Sequence, residues 1–250
     1  MSGHNKWAKI KHKKAATDAA KGRIYTRLIK EITLAARMGG GDETGNARLR
    51  KAIQDAKAAN MPASNVERAI KKGTGELEGV SYEEVTYEGY GPGGVAILAE
   101  LITDNKNRAV SEIRHIFSKH GGNLASAGAV SWKFDKKGII AVVPEGRSED
   151  DILMMALDAG AEDVKYDPES TEILTAPHDL ETVKAALEKQ GLKIEKAEVG
   201  MYPKDTVKVE GREAEQLMKL LDAIEENEDI QKVYSNYDID VDVMAQLSEA

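Results

Sequence analysis

Residues 139–199 read IIAVVPEGRSEDDILMMALDAGAEDVKYDPESTEILTAPHDLETVKAALEKQGLKIEKAEV. Strand signals fall at Ile139 to Val143, Asp163 to Tyr166, Glu172 to Thr175 and Lys193 to Val199. Helical spacing covers Glu149 to Ala159 and Leu180 to Gln190. The order β-α-β-β-α-β is that of a ferredoxin-like split β-α-β unit. Working outward toward the N-terminus, Val85 to Tyr90 and Val95 to Thr103 read as strands. Asn107 to His120 reads as a helix with Ala109, Val110, Ile113, Ile116 and Phe117 on its core side, and Val130 to Phe134 as a further strand. Toward the C-terminus, Val207 to Val209, the helix Arg212 to Glu226 and the strand Val233 to Ile239 have no partners of their own. Joined to residues 95–134, they are expected to complete a second β-α-β-β-α-β unit that the first interrupts.

The front of the chain has a different period. Between Arg23 and Met38 a 100° step places Ile24, Tyr25, Leu28, Ile29, Ile32, Ala35 and Ala36 on one arc. Arg23, Arg27, Lys30 and Arg37 fall opposite, with Leu34 the one apolar intruder among them. Gly39 to Gly41 end this helix. A second helix runs from about Asn46 to Ala59, burying Leu49, Ala52, Ile53 and Ala56. A third is expected to begin at Ser64, with Glu67 completing a capping box, and to stop at Gly73. Gly73 to Gly79 reads as a linker. The expected fold class is therefore α+β: an N-terminal three-helix domain followed by two ferredoxin-like domains, the third inserted in the second. The expected boundaries are 1–75, 80–136 with 204–243, and 137–203. A length of 250 residues accommodates three such units.

The net charge of -8 conceals a division. Residues 1–72 carry 17 Lys+Arg against 6 Asp+Glu, a net of +11, and the remainder is at -19. Such asymmetry points to a polyanion contact made by one part of the chain. Its densest portion is the arm Lys6, Lys9, Lys11, Lys13 and Lys14, with Trp7, Ile10, His4 and His12 interleaved. Like charges this close repel, so the arm is expected to stay mobile until phosphate neutralises it. Stacking of Trp7 on a base and packing of Trp7 on the domain's own helices both fit its position. The candidate nucleic-acid-binding residues are His4, Lys6, Trp7, Lys9, Lys11, His12, Lys13, Lys14, Lys21, Arg23, Arg27, Lys30 and Arg37.

Other chemistries find little support. There is no Cys, which removes disulfides, thiolate metal sites and cysteine nucleophiles. Gly89 to Gly94 satisfies G-x-G-x-x-G, but a β-rich run follows where a dinucleotide site needs a helix N-terminus, so it reads as a connection between strands. The five His include no pair at i, i+4 spacing, and no metal or cofactor is expected. His115 and His120 read as residues lining a helix end. Asp238, Asp240 and Asp242 alternate with apolar residues and read as the wet face of an edge strand. The longest apolar stretches, Gly94 to Ile102 and Gly138 to Val143, are far short of the roughly 20 residues of a membrane span, and the basic N-terminus lacks the apolar core of a secretory signal. A cytoplasmic protein is expected, and an enzyme only through dispersed residues that no motif reveals.

Several motifs are also recognisable. Gly3-His4-Asn5-Lys6-Trp7-Ala8-Lys9-Ile10-Lys11-His12-Lys13-Lys14, Asp18, Lys21-Gly22 and Leu28 to Ile32 resemble the YebC/PmpR family. Gly39-Gly40, Asn60-Met61-Pro62, Asn65, Ile70 to Gly73, Glu88 to Gly94, Gly121-Gly122 and Gly128-Ala129-Val130-Ser131-Trp132 are similar to its other signatures, and the match spans the chain. The resemblance implies three domains, a bacterial cytoplasmic location and no catalysis. It implies either a DNA-binding transcriptional regulator or a ribosome-associated factor that relieves stalling on proline-rich stretches. A mitochondrial relative is a translational activator of a respiratory-oxidase subunit; the chain opens directly on the motif, so the bacterial form is expected. The expected partner is RNA, ribosomal or transfer, with duplex DNA the alternative. Ribosomal proteins are a further expected partner, for the acidic part. No membrane contact is expected, and a monomer is favoured.

Overall fold

The computed structural model describes residues 18–249, without the side chains at 18–20, 241–242 and 248–249. Three helices open it: α1 (Asp18–Gly39), α2 (Ala47–Ala58) and α3 (Ala63–Thr74). Ile32, Ala35 and Ala36 of α1 pack on Leu49, Ala52, Ile53 and Ala56 of α2 and on Val66 and Ala69 of α3. Small residues let α1 and α3 cross closely. A Cβ at Gly73 would stand 2.3 Å from the Thr33 carbonyl oxygen and 2.7 Å from the Ala36 Cβ. Asn46 ties the first corner: its Oδ1 accepts from the Leu49 amide at 3.0 Å, and its Nδ2 donates to the Ala35 and Gly40 carbonyls at 2.8 and 2.9 Å. The expected capping box at Ser64 is not formed. Pro62, fixed in extended geometry, precedes the helix and no side chain caps it. Nor does Gly73 stop it; Gly75, at φ +84°, is the C-cap.

The first sheet has the order β3-β1-β2-β9, built from β1 (Glu83–Tyr90), β2 (Ala96–Thr103), β3 (Asn123–Leu124) and β9 (Ile230–Ser235). Helices α4 (Lys106–Lys119) and α7 (Gly211–Glu226) supply Ile113, Phe117, Leu217 and Leu221 to a core with Ile97, Ala99 and Leu101. β1 lies between β2 and β3, and Val207 to Val209, expected from sequence to be a strand of this unit, does not enter the sheet. A short glycine turn closes β1 onto β2 at little entropic cost, whereas residues 207–209 would have to return across the whole intervening segment. They instead form β8 (Val207–Lys208), paired in parallel with β10 (Tyr237–Asp238).

The second sheet has the order β5-β6-β4-β7, every pairing antiparallel. Its strands are β4 (Phe134–Val143), β5 (Asp163–Lys165), β6 (Thr171–Thr175) and β7 (Lys193–Pro203). Helices α5 (Glu149–Asp158) and α6 (Leu180–Lys189) complete the ferredoxin-like order. Ser148 and Asp151 form a capping box on α5. Ile140, Val142 and Ile173 meet Ile152, Ala156, Val183 and Leu187 in its core.

Three boundaries differ from those expected. Val130 to Phe134 is no strand of its own: Ser131–Lys133 is a 3-10 turn and Phe134 opens β4. β4 then pairs with β7 from Phe134↔Pro203 to Val143↔Lys193, with one bulge between Ala141 and Val142, so the division expected at 136/137 falls inside a regular stretch of ladder. The expected strand Val233 to Ile239 is split, because the chain changes sheets at Asn236, whose Oδ1 accepts from the Ala96 amide at 2.8 Å. The alternation at Asp238, Asp240 and Asp242 is likewise not an edge strand, since β10 ends at Asp238 and α8 (Val241–Glu249) follows. Met244 is fully buried in the first sheet's core, and that burial outweighs the local pattern.

β2 joins the two sheets because both its faces are covered. Its Ile97, Ala99 and Leu101 face α4 and α7, and Ala96 and Leu98 face Val130 and Phe134, with Met201 and Tyr234 at the margin. The helical unit is held on differently. Arg27, Lys30, Leu34 and Arg37 form one stripe along α1, and this stripe faces the sheet unit. Leu34 is buried. Lys30 Nζ lies 2.5 Å from Asp229 Oδ1 and donates to the Glu228 carbonyl at 2.9 Å. Asp229 also accepts from Thr103 Oγ1 at 2.8 Å and from Arg108 at 3.4 Å. Nearby, Arg48 donates to Glu31 at 2.6 and 2.9 Å and to Glu84 at 2.6 Å, linking α1, α2 and β1.

Removing one partner of a buried ion pair strands the other charge. Lys30→Met or Asp229→Ala alone is expected to cost about 3–5 kcal/mol in urea unfolding. Lys30→Met with Asp229→Leu is expected to recover part of that loss. Single-variant costs below about 1 kcal/mol would equal those of an exposed pair and would show that the joint rests elsewhere. Burial pushes the Asp229 carboxyl up, but Lys30, Thr103 and Arg108 outweigh it and hold the group below the usual carboxylate range. Its contribution is thus complete above the unfolded value near ~3.9 and is lost as pH falls through the lower folded value. Acidification below about pH 4 is therefore expected to expose residues 75–82 to an acid-active protease in the native chain, with a smaller change in the double variant.

Candidate nucleic-acid interface

Of the thirteen candidate residues, His4, Lys6, Trp7, Lys9, Lys11, His12, Lys13 and Lys14 lie outside the described residues. The other five separate into two groups. Lys21 is exposed, its Nζ 5.7 Å from the centre of the Tyr25 ring, and Arg23 is half-buried. Arg37 is exposed and donates to Ser81 Oγ. Arg27 and Lys30 do not present open charge. Lys30 is buried against Asp229, and the Arg27 guanidinium donates to the Glu225 carbonyl while its Nε is buried without a partner. Burial depresses Arg27 from its ordinary value, with Glu225 opposing and Arg23 adding to the effect.

The sequence carried a signal for this. Leu34 sits three to four residues from both Lys30 and Arg37, and an apolar residue on a supposedly wet face marks that face as covered. A cleft of about 570 Å³ remains between α1 and the sheets, lined by Lys30, Tyr82, Asp104, Arg108, Glu112 and Asp229. Its carboxylates disfavour a phosphate there.

Other cations, which the periodicity of α1 alone does not single out, remain open. Lys57 of α2 and Arg68, Lys71 and Lys72 of α3 are exposed. Arg68 and Lys72 stand one turn apart, a like-charged pair that costs an isolated helix a few tenths of a kcal/mol, roughly, and that a phosphate would relieve. Arg50 is exposed too, but its guanidinium donates to the Glu43 and Thr44 carbonyls at 3.1 and 3.2 Å. Lys51 is paired with Asp55. On the outer face of α2 this leaves Gln54 and Lys57 as exposed groups able to reach outward. The described open charge of this unit thus runs from the start of α1 across α2 and α3.

The remaining sequence motifs have structural places. The run Gly89 to Gly94 forms the β1–β2 connection, with Gly93 at φ +75° and Gly94 at φ +76°. His120 is the C-cap of α4; burial lowers its basicity, and the neighbouring Lys119, Lys219 and His115 act in the same direction. Among the described residues no group of three or more His, Asp or Glu could hold a metal ion. No helix among them is long and apolar enough to cross a membrane.

Comparison with known proteins covers nearly the whole chain. Residues 5–76 match the family model of the TACO1/YebC protein N-terminal domain, and residues 82–237 match that of the TACO1/YebC second and third domain. A probable transcriptional regulatory protein of Desulforapulum autotrophicum is 59% identical over 239 residues, 96% of this chain and 97% of its own. One of Geobacter sulfurreducens with the same description is 56% identical over 247 residues, 99% and 100% of the two chains. Among solved structures, the crystal structure of a conserved hypothetical protein from Aquifex aeolicus superposes with a TM-score of 0.78 at 50% identity, covering 89% of this chain and 92% of that one. The chain belongs to the TACO1/YebC family.

Proposed function

We propose that this protein is a non-enzymatic regulator of gene expression that binds nucleic acid through its N-terminal unit, and that its target is RNA on the ribosome. The observation that carries the reading is the division of charge, +11 in residues 1–72 against -19 in the rest. The name borne by the relatives, probable transcriptional regulatory protein, supports a regulatory role. A lysine-rich arm with Trp7, His4 and His12 suits a folded RNA, where unpaired bases offer faces for stacking and the backbone offers phosphates. The open cations Lys57, Arg68, Lys71 and Lys72 extend the same surface, with Lys21 and Arg23 at its edge, while Arg37 stands on the side turned to the sheets, bonded to Ser81. Basic ribosomal proteins would suit the acidic remainder. The resemblance to ribosome-associated members extends the reading to relief of stalling on proline-rich stretches.

The second reading, a sequence-specific regulator on duplex DNA, is favoured by the relatives' name. Two observations weigh against it. Arg50, which would point from α2 toward base edges, is tied to local carbonyls. A body at -19 is also repelled by duplex phosphate.

Co-sedimentation with ribosomes, lost after nuclease, is the expected result, with no sequence-selective shift of duplex DNA at physiological salt. Selective duplex binding without ribosome association would reverse the order of the two readings. Replacing Lys9, Lys11, Lys13 and Lys14 by Gln is expected to weaken RNA binding and to flatten its salt dependence. Each lost phosphate contact should change the log–log slope by about 0.7–0.9. An unaltered slope would take the arm out of the interface. Trp7→Ala is expected to lower affinity with little change in slope, whereas loss of the thermal transition would place Trp7 in the core.

A further inference from the structure

Trp132 is the one exposed aromatic residue among the described residues, at 62% exposure; the others there are buried or half-buried. Its exposure is built into the chain. Val130, two residues before it, is fully buried, and Phe134, two residues after it, is 4% exposed; both belong to the cluster that joins the sheets. The intervening 3-10 turn, Ser131–Lys133, therefore has to project Trp132 outward.

The turn is also fixed from below. The buried Glu88 carboxylate accepts the amides of Gly128 and Val130 at 2.7 Å and that of Ser131 at 2.8 Å. Burial alone would raise the Glu88 value, yet these bonds hold it below the usual range, so the group stays ionised and the loop stays clamped. The indole edge is held as well, with Nε1 donating to the Ala129 carbonyl at 3.0 Å, where Tyr90 also donates at 3.1 Å. With the N–H satisfied internally, the ring offers a partner its apolar face. Lys133 Nζ lies over the ring, 4.9 Å from its centre, and is shared with Asp205 at 3.0 Å, while Lys204 in the β4–β7 pair is bound to Asp135 at 3.1 Å.

We infer that Trp132 is a stacking platform for one unpaired nucleobase of RNA, taken on the ring face that Lys133 does not cover. This rests on the RNA reading above and adds a second contact on the sheet unit, apart from the basic arm. The surroundings choose the occupant. A protein-binding tryptophan sits in an apolar patch sealed by neighbours. In the loop that leads to it the exposed residues are Ser126, Ala127 and Gly128, and the other large exposed apolar residues lie on different segments. A flat ring held rigidly, with one ammonium group over it and small residues along its own loop, matches base stacking.

The chain has two tryptophans, so Trp7→Phe leaves Trp132 as the sole indole emitter. This full-length variant is titrated with a short single-stranded oligoadenylate, and binding is followed independently by anisotropy of the end-labelled RNA. Trp132 emission is expected to quench in step with the anisotropy. Trp132→Ala in the native background is expected to weaken binding about 5- to 150-fold, Trp132→Phe less, with the thermal midpoint unchanged. Saturating anisotropy with unaltered Trp132 emission and full affinity of Trp132→Ala would overturn the inference and leave the arm's role standing. An equal response to an RNA duplex of the same length would overturn the assignment to an unpaired base. No anisotropy change with any RNA would overturn the RNA reading and this inference together.

Discussion

A buried ammonium group beside a buried carboxylate decides how the molecule is put together. Lys30 and Asp229 are distant in sequence, and removing either strands the other in a buried position. Because Asp229 also receives Thr103 and Arg108, one carboxylate gathers α1, the end of β2 and the start of α4. The joint fixes which side of α1 faces the sheets and, by exclusion, which cations of the helical unit face outward. A polar joint has a further property. It demands one register and one rotation of the helix, whereas an apolar contact would tolerate sliding.

Much of this was legible in the residues. Alternation and helical spacing placed the second sheet's strands and helices, because each of those elements buries one face against the core next to it. Reading failed where a residue answers to something distant. Val207 to Val209 has the composition of a sheet strand but lost its place to β1, which is adjacent in the chain to β2. Val130 to Phe134 is β-rich, yet Glu88, some forty residues earlier, bends its backbone into a turn. Val241 to Glu249 alternates at its start but coils into a helix because Met244 finds a core to enter. At the candidate interface, the charge division was plain from composition. The burial of Arg27 and Lys30 was not, since a charged residue facing a carboxylate looks locally like one facing water.

The two kinds of candidate contact differ in physical character. The basic surface works by charge, reaches over about a Debye length and is weakened by salt. The proposed contact at Trp132 would work by shape, at van der Waals distance only, on a loop that the Glu88 clamp holds still. A protein that must find a polyanion quickly and then sit on it in one pose benefits from both, the first for encounter and the second for orientation.

The long ladder between β4 and β7, regular from Phe134 to Ala141 and bulged once between Ala141 and Val142, has a mechanical consequence. It begins beside the exposed indole and ends far down the second sheet, pairing ten residues of β4 on the way. Paired strands resist stretching and flex as a unit, so this ribbon acts as a stiff beam anchored at one end by Phe134. Between the bulge at Ala141 and the tryptophan turn the regular pairing leaves no hinge, so a tilt of this stretch would reach the turn as a small rotation. A body built this way measures a fixed span between whatever it touches at its two ends, as a caliper does.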